Sequence, residues 1–487
     1  MSQEVQVGPK HRESADRTEP LATREIAHAR GVDRSIVSRQ ACGASGGFRS
    51  TQPSRKEDDL CDMRHAHHVL ARRLLLSREG NQLVVGLALV LCLTAPRDNE
   101  ARAQEIPRAP SIRSLEVTQM GTTVRAGPST RAARRGTVRV GTFLPVEARV
   151  RGDGCPNGEW YRIGVEQYVC ESLIRPSFDA PHGEAVPHVA EGELLPRRYA
   201  FVAADGTWAY SRPSDYFLDE MVESLGRGFG LAIQEESVVR GVTFYRSLSG
   251  IWVPQEVLRF ARGSAFEGVV IDNATLDVAW VRQHAELRAW NGRRAGALIR
   301  RLGRRDIVHI LQDVGHGMLR TSEGVIRARD LIRPTSAPPP TEITGNERWI
   351  DVDRTAQTLV AYEGATPIFA TIVSTGRHTR GHETPLGVHR IWVKLAEDTM
   401  DDLDRTDQSS NYAIEAVPWV QYFSEGIGLH AAFWHDDFGH ARSHGCVNLT
   451  PRDAARLFAW TTPDLPIGWD AILTTEHRLG TIVRVRE

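Results

Sequence analysis

"GLHAAFWHDDFGHARSHGCVNL", residues 428–449, decides how the C-terminal part of this chain is read. It holds Cys446, the only cysteine after Cys170. A thiol attacks a carbonyl carbon as thiolate, yet a free cysteine is mostly protonated at neutral pH. It needs a base, an orienter for that base, and donors aimed at the developing oxyanion. His430 ends a predicted strand, and His444 lies two residues before the thiol; His435 and His440 fall between them. Gly445 permits unusual dihedrals and close backbone approach. The amides of His444, Gly445 and Cys446 are therefore expected to point into one pocket.

Outward from this stretch the pattern is β-rich. Residues 417–434 read as two strands around "SEG". Residues 348–376 read as a hairpin followed by a third strand. "TPLGVHRIWVKL" (384–395) is another strand, and the acidic 397–411 is expected to be a surface loop. "TPRDAARLFAWTT" (450–462) is the clearest helix, with Thr450 as cap, Pro451 in the first turn and Asp453 near the positive end of the dipole. "DAILTT" and "TIVRVRE" are expected to close the sheet.

His430, twelve intervening residues, and then Ser443-His444-Gly445-Cys446-Val447-Asn448 resemble the signature of the L,D-transpeptidase (YkuD-type) catalytic domain. "STG" at 374–376 and "TPLG" at 384–387 match that domain's layout. The resemblance implies Cys446 as nucleophile and His430 as base, oriented by a backbone carbonyl, that of Ala431 here. His444 would shape the oxyanion pocket or assist proton transfer, with Ser443, Gly445 and Asn448 bracing the turn. Arg442 is a candidate for a substrate carboxylate, and Tyr422 and Trp434 for the groove wall. The implied chemistry is two-step acyl transfer on peptidoglycan stem peptides through a thioester on Cys446, resolved by an amine or by water. It needs no cofactor and no metal. An L,D-carboxypeptidase of the same fold remains an alternative.

Toward the N-terminus, Pro-rich and polar stretches at 104–111, 176–196 and 334–347 mark joints. Between them a weak repeat runs through 160–176, 244–259 and 318–334. The segment "VRAGPSTRAARRGTVRVGTFLPV" (124–146) resembles the opening of bacterial SH3-like domains, a family that implies binding to cell-wall peptides or glycans. The expected fold is mainly β. SH3-like modules at 112–176, 197–262 and 277–334 and a Pro-rich linker at 335–346 precede a YkuD-type β-sandwich at 347–487 with one or two short helices.

Composition fits a soluble globular protein, with 41% hydrophobic and 25% charged residues. A net charge of −1 argues against a general polyanion binder. Residues 1–103 read as a disordered extension plus a secretory signal. Basic residues after Met63 precede "LVVGLALVLCLTA" (83–95) and "ARA" before Gln104. Cleavage there predicts an exported protein of the periplasm or envelope, without a mature transmembrane segment. Cys155 and Cys170 are expected to pair in that oxidising compartment, leaving Cys446 unpaired.

Three rival readings stand beside this one. His435, His440 and His444 loosely fit zinc-ligand spacing. A catalytically silent wall-binding protein would use the three barrels alone. A papain-type cysteine peptidase fits neither the chain order nor the all-β pattern.

Overall fold

The structure, a computed structural model, describes residues 111–401 and 412–487. The extension and signal expected at 1–103, and residues 402–411 of the acidic segment, lie outside the described residues. The chain is mainly β, and Pro451–Trp460 is the one α-helix among the described residues.

In the C-terminal domain, numbered from its own start, the strands are β1 (Arg348–Asp353), β2 (Thr358–Glu363), β3 (Thr366–Ile372), β4 (Gly387–Arg390), β5 (Val393–Asp401), β6 (Ala413–Ser424), β7 (Ile427–Ala431) and β8 (Val447–Leu449). After them come α1 (Pro451–Trp460), β9 (Trp469–Leu473) and β10 (Ile482–Arg486). One sheet runs β3-β2-β1-β10-β4; the other contains β9, β5, β6, β7 and β8 in that order. The expected hairpin and third strand are β1, β2 and β3. The expected pair around "SEG" is β6 and β7.

Two expectations are corrected. The last two strands do not close one sheet: β9 pairs β5, whereas β10 lies between β1 and β4 in the opposite sheet, parallel to β1. Residues Glu397–Asp401 do not open a loop but prolong β5 along β6, because Glu397 and Asp398 stay paired with Pro418 and Val417.

The sandwich closes on itself through apolar alternation. Ile350, Val352, Leu359 and Ala361 of one sheet meet Trp419, Phe423, Leu429, Ala431, Val447 and Leu449 of the other. The helix adds Ala454, Leu457 and Phe458 to the same core. Thr450 caps it by accepting the Asp453 N–H, and Pro451 begins it with no amide to lose. Asp453 itself is buried. Its carboxylate accepts the Gly268 N–H and the Thr371 hydroxyl (2.6 Å), tying the helix start to β3 and to the segment before it.

Three further β-rich bodies, compatible with small barrels, precede this domain. Their strands fall within 114–177, 198–260 and 278–332; the second and third each have an apolar core of their own, and the first shares its core with Trp469 and Ile472 of β9. The first carries a disulfide between Cys155 and Cys170. Strand Arg134–Val138 of that body pairs with β9, so one sheet crosses from it into the C-terminal domain. The joints at 176–196 and 334–347 lie against the domain and do not stand clear as spacers. Trp419 Nε1 donates to Pro187 O (2.8 Å), and Val186 and Val189 pack on the sandwich core. Arg484 and Arg486 bind the carbonyls of Pro338 and Thr335.

Candidate active site

Two short parallel strands fix the site. In β7 and β8, Leu429 faces Val447, His430 faces Asn448 and Ala431 faces Leu449. Leu429 and Val447 turn into the core. Side chains alternate along a strand, so His430, Asn448 and Cys446, the residue before Val447, share the other face. Gly428 is thereby the neighbour of Cys446.

His430 is 2% exposed. Its Nδ1 lies 3.0 Å from Ala431 O, so Nδ1 carries the ring proton and Nε2 is left as acceptor. Burial pushes the imidazole down to about 4, with the carbonyl contact opposing. Cys446 is half-buried. Burial pushes its thiol up to about 11; a Gly428 backbone N–H pulls the other way, and the Asp398 charge adds to the rise. Both groups are therefore neutral at physiological pH. The thiol donates to Gly426 O at 3.8 Å.

Ser443, Gly445 and Asn448 are all in the turn. Ser443 Oγ donates to Cys446 O and accepts the Gly445 N–H at 3.1 Å, which closes the loop around the cysteine. The Gly445 amide, expected to point into the pocket, donates to Ser443 Oγ. Gly445 has φ +128°, a conformation that favours glycine, and a Cβ there would press on Ile427. Asp437 N–H donates to His435 Nδ1, so His435 Nε2 carries its proton. The Asn448 amide lies 3.1 Å from that nitrogen, and turned so that its oxygen meets the N–H it uses an acceptor that otherwise has no partner.

His444 is exposed and stacks against Tyr412, with His382 at its edge (4.6 Å between centroids). Arg442 is exposed, and its guanidinium is held by Asp437 at 2.6 Å. Trp434 is half-buried and stacks on His430 with centroids 5.8 Å apart. Tyr422 is buried, and its hydroxyl donates to Asp398 Oδ2 at 2.7 Å. Among the described residues no group of three His, Cys, Asp or Glu side chains is gathered for a metal ion.

The residues that clamp the turn were not singled out by sequence. Ser374 exchanges two backbone hydrogen bonds with Asn448, and Thr375 O accepts the amides of Arg442 and Ser443. Thr384 Oγ1 accepts the Gly376 N–H and donates to Gly445 O at 2.7 Å. Gln357 holds Thr375 from behind through two hydrogen bonds. "STG" and "TPLG" therefore grip the cysteine turn from both sides. Their presence in the sequence was the signal; their target was not visible there.

Residues 347–485 match the family model of the L,D-transpeptidase catalytic domain. Among solved structures the chain is similar to a mutant Enterococcus faecium L,D-transpeptidase, at 23% identity over 29% of this chain and 50% of that one, TM-score 0.22. It is similar to a Stackebrandtia nassauensis L,D-transpeptidase at 29% identity over 30% and 58%, TM-score 0.21. It is similar to a Mycobacterium smegmatis L,D-transpeptidase at 16% identity over 38% and 89%, TM-score 0.23. The chain spans about half the length of the first of these. No curated protein matches it.

Proposed function

We propose that this protein is an L,D-transpeptidase acting on peptidoglycan stem peptides through a thioester on Cys446. The observation that supports the reading is the β7–β8 register, in which His430, its Nδ1 at the Ala431 carbonyl, faces Asn448, two residues after Cys446. His430 Nε2 takes the thiol proton as sulfur attacks the carbonyl carbon next to a D-amino acid. The same proton then leaves with the departing amino group. The Cys446 amide and the His444 side of the turn are the oxyanion donors, the Gly445 amide being committed. The match of residues 347–485 to the catalytic-domain model supports the substrate class.

The three preceding β-rich bodies are read as SH3-like modules that hold the enzyme on the wall. The Cys155–Cys170 bond supports an oxidising, exported location.

The test is incubation of the protein with a defined tetrapeptide stem, followed by mass analysis of protein and products. A thioester on Cys446 with release of the terminal D-amino acid is expected, and Cys446→Ala abolishes both. Wild-type protein that binds wall fragments but never forms the adduct would leave the silent wall-binding reading in its place.

A further inference from the structure

We propose that Arg304 and Arg305 of the third β-rich body are positioning residues of the active site: they clamp Asp436 and so hold segment 434–438 against His430 and Asn448. The proposal rests on Cys446 and His430 being nucleophile and base. The two arginines lie in the turn 303–306, between strands Ala295–Leu302 and Ile307–His309. That turn is fixed within its own body. The Gly303 N–H donates to Asp306 Oδ2 (2.9 Å) and the Arg305 N–H to Val281 O (2.7 Å). Arg305 has φ +68°, a left-handed conformation that glycine takes at less cost. Its side chain accounts for arginine there. Nη1 donates to Asp436 Oδ1 at 2.7 Å and Nη2 to Asp436 O at 2.5 Å. Arg304 binds the same residue, Nη1 to Oδ2 at 3.3 Å and Nη2 to the carbonyl at 2.6 Å.

Asp436 is partly exposed, so charge attraction alone would hold it weakly. Two guanidinium forks that take both carboxylate oxygens and the carbonyl add direction to the charge. The Arg305 guanidinium also lies over the rings of Phe266 (5.0 Å) and Phe438 (5.9 Å), and Phe438 is buried with Phe266, Trp280 and Ile332. From Asp436 two short routes lead to the base. Two residues before it, Trp434 stacks on His430 with centroids 5.8 Å apart. Beside it, His435 packs on the Phe438 ring and meets the Asn448 side-chain amide at 3.1 Å. Asn448 is the residue facing His430 in the β7–β8 register. A clamp on Asp436 therefore steadies both the ring over the imidazole and the residue opposite it. Catalytic geometry displaced by about 1 Å loses on the order of 100-fold in rate. The arginines act through Asp436, so the loss falls on the rate of acylation and not on the affinity for the stem peptide.

The experiment follows acylation of Cys446 by a tetrapeptide stem in the full chain, giving the saturating rate and the stem concentration at half-saturation. Arg305→Gln is expected to lower the saturating rate about tenfold, and Arg304→Gln with Arg305→Gln about 100-fold, with half-saturation kept within about twofold. Arg305→Lys retains the charge without the fork and loses about threefold. Asp436→Asn, which changes no volume, loses about tenfold alone and adds less than about twofold to the double arginine variant, because the three residues act as one unit. Arg300→Gln breaks the exposed Arg300–Glu323 pair of the same body and leaves the rate within about twofold. A wild-type rate in the double variant, a rise in half-saturation as large as the loss of rate, or a full further loss on adding Asp436→Asn would overturn the proposal. If wild-type protein forms no thioester, the reading of Cys446 falls and the proposal with it. If wild type forms the thioester and the double variant does so as fast, only the clamp is lost.

Discussion

At the scale of single residues, the site rests on two groups kept neutral by burial. With the thiol pushed up to about 11 and the imidazole down to about 4, both groups are neutral at physiological pH. The measurable consequence is in alkylation. Reaction of Cys446 with iodoacetamide is expected to rise about tenfold per pH unit between about pH 7 and 9, following the thiolate fraction. A rate that is already flat across that range would show a preformed thiolate–imidazolium pair and refute the neutral resting state. The residues proposed for the chemistry were readable in sequence, because Ser443-His444-Gly445-Cys446 is contiguous and His430 ends an evident strand. The clamps Thr375, Thr384 and Gln357 were not, because each acts on the turn from a distant part of the chain.

At the scale of elements, α1 shows how a local signal acquires a second role. Thr450, Pro451 and Asp453 mark a helix start by composition alone. Only packing reveals that Asp453 is buried and bonded to Gly268 and Thr371. Burial raises its carboxyl to about 6, above its ordinary value of 3.8. A carboxyl that holds its proton more tightly when folded favours the fold below about pH 4, and that contribution is lost as pH rises through 6. His430 and His435, both pushed down to about 4, act oppositely, their contribution being lost as pH falls through that range. The difference between variant and wild type therefore isolates Asp453. In urea unfolding, Asp453→Asn is expected to remove a decline in stability between about pH 4 and 6. Identical pH slopes for the two proteins would refute the assignment.

At the scale of the whole molecule, the first β-rich body and the sandwich share a sheet through the antiparallel pairing of Arg134–Val138 with β9. The contact requires glycine at 136, where a side chain would run into the Ala471 carbonyl and the Trp469 ring. Gly136→Val is expected to break the joint and split one calorimetric unfolding transition into two. The disulfide-bearing body would retain its own transition, since the bond closes a loop worth about 3 kcal/mol. A single transition in the variant would show that this seam is not what couples the two bodies.

The sequence by itself determined the mainly β class and the helix at 451–460 and supplied the proposed nucleophile and base, because these depend on contiguous motifs and on strand and helix periodicity. Tertiary structure alone decided that β10 lies between β1 and β4 and that the joints at 176–196 and 334–347 pack on the domain. It also decided that the Gly445 amide donates to the Ser443 hydroxyl and that the Tyr422 hydroxyl donates to Asp398. These outcomes depend on strand order, on hydrogen bonds between distant segments and on burial, none of which leaves a local period in the chain.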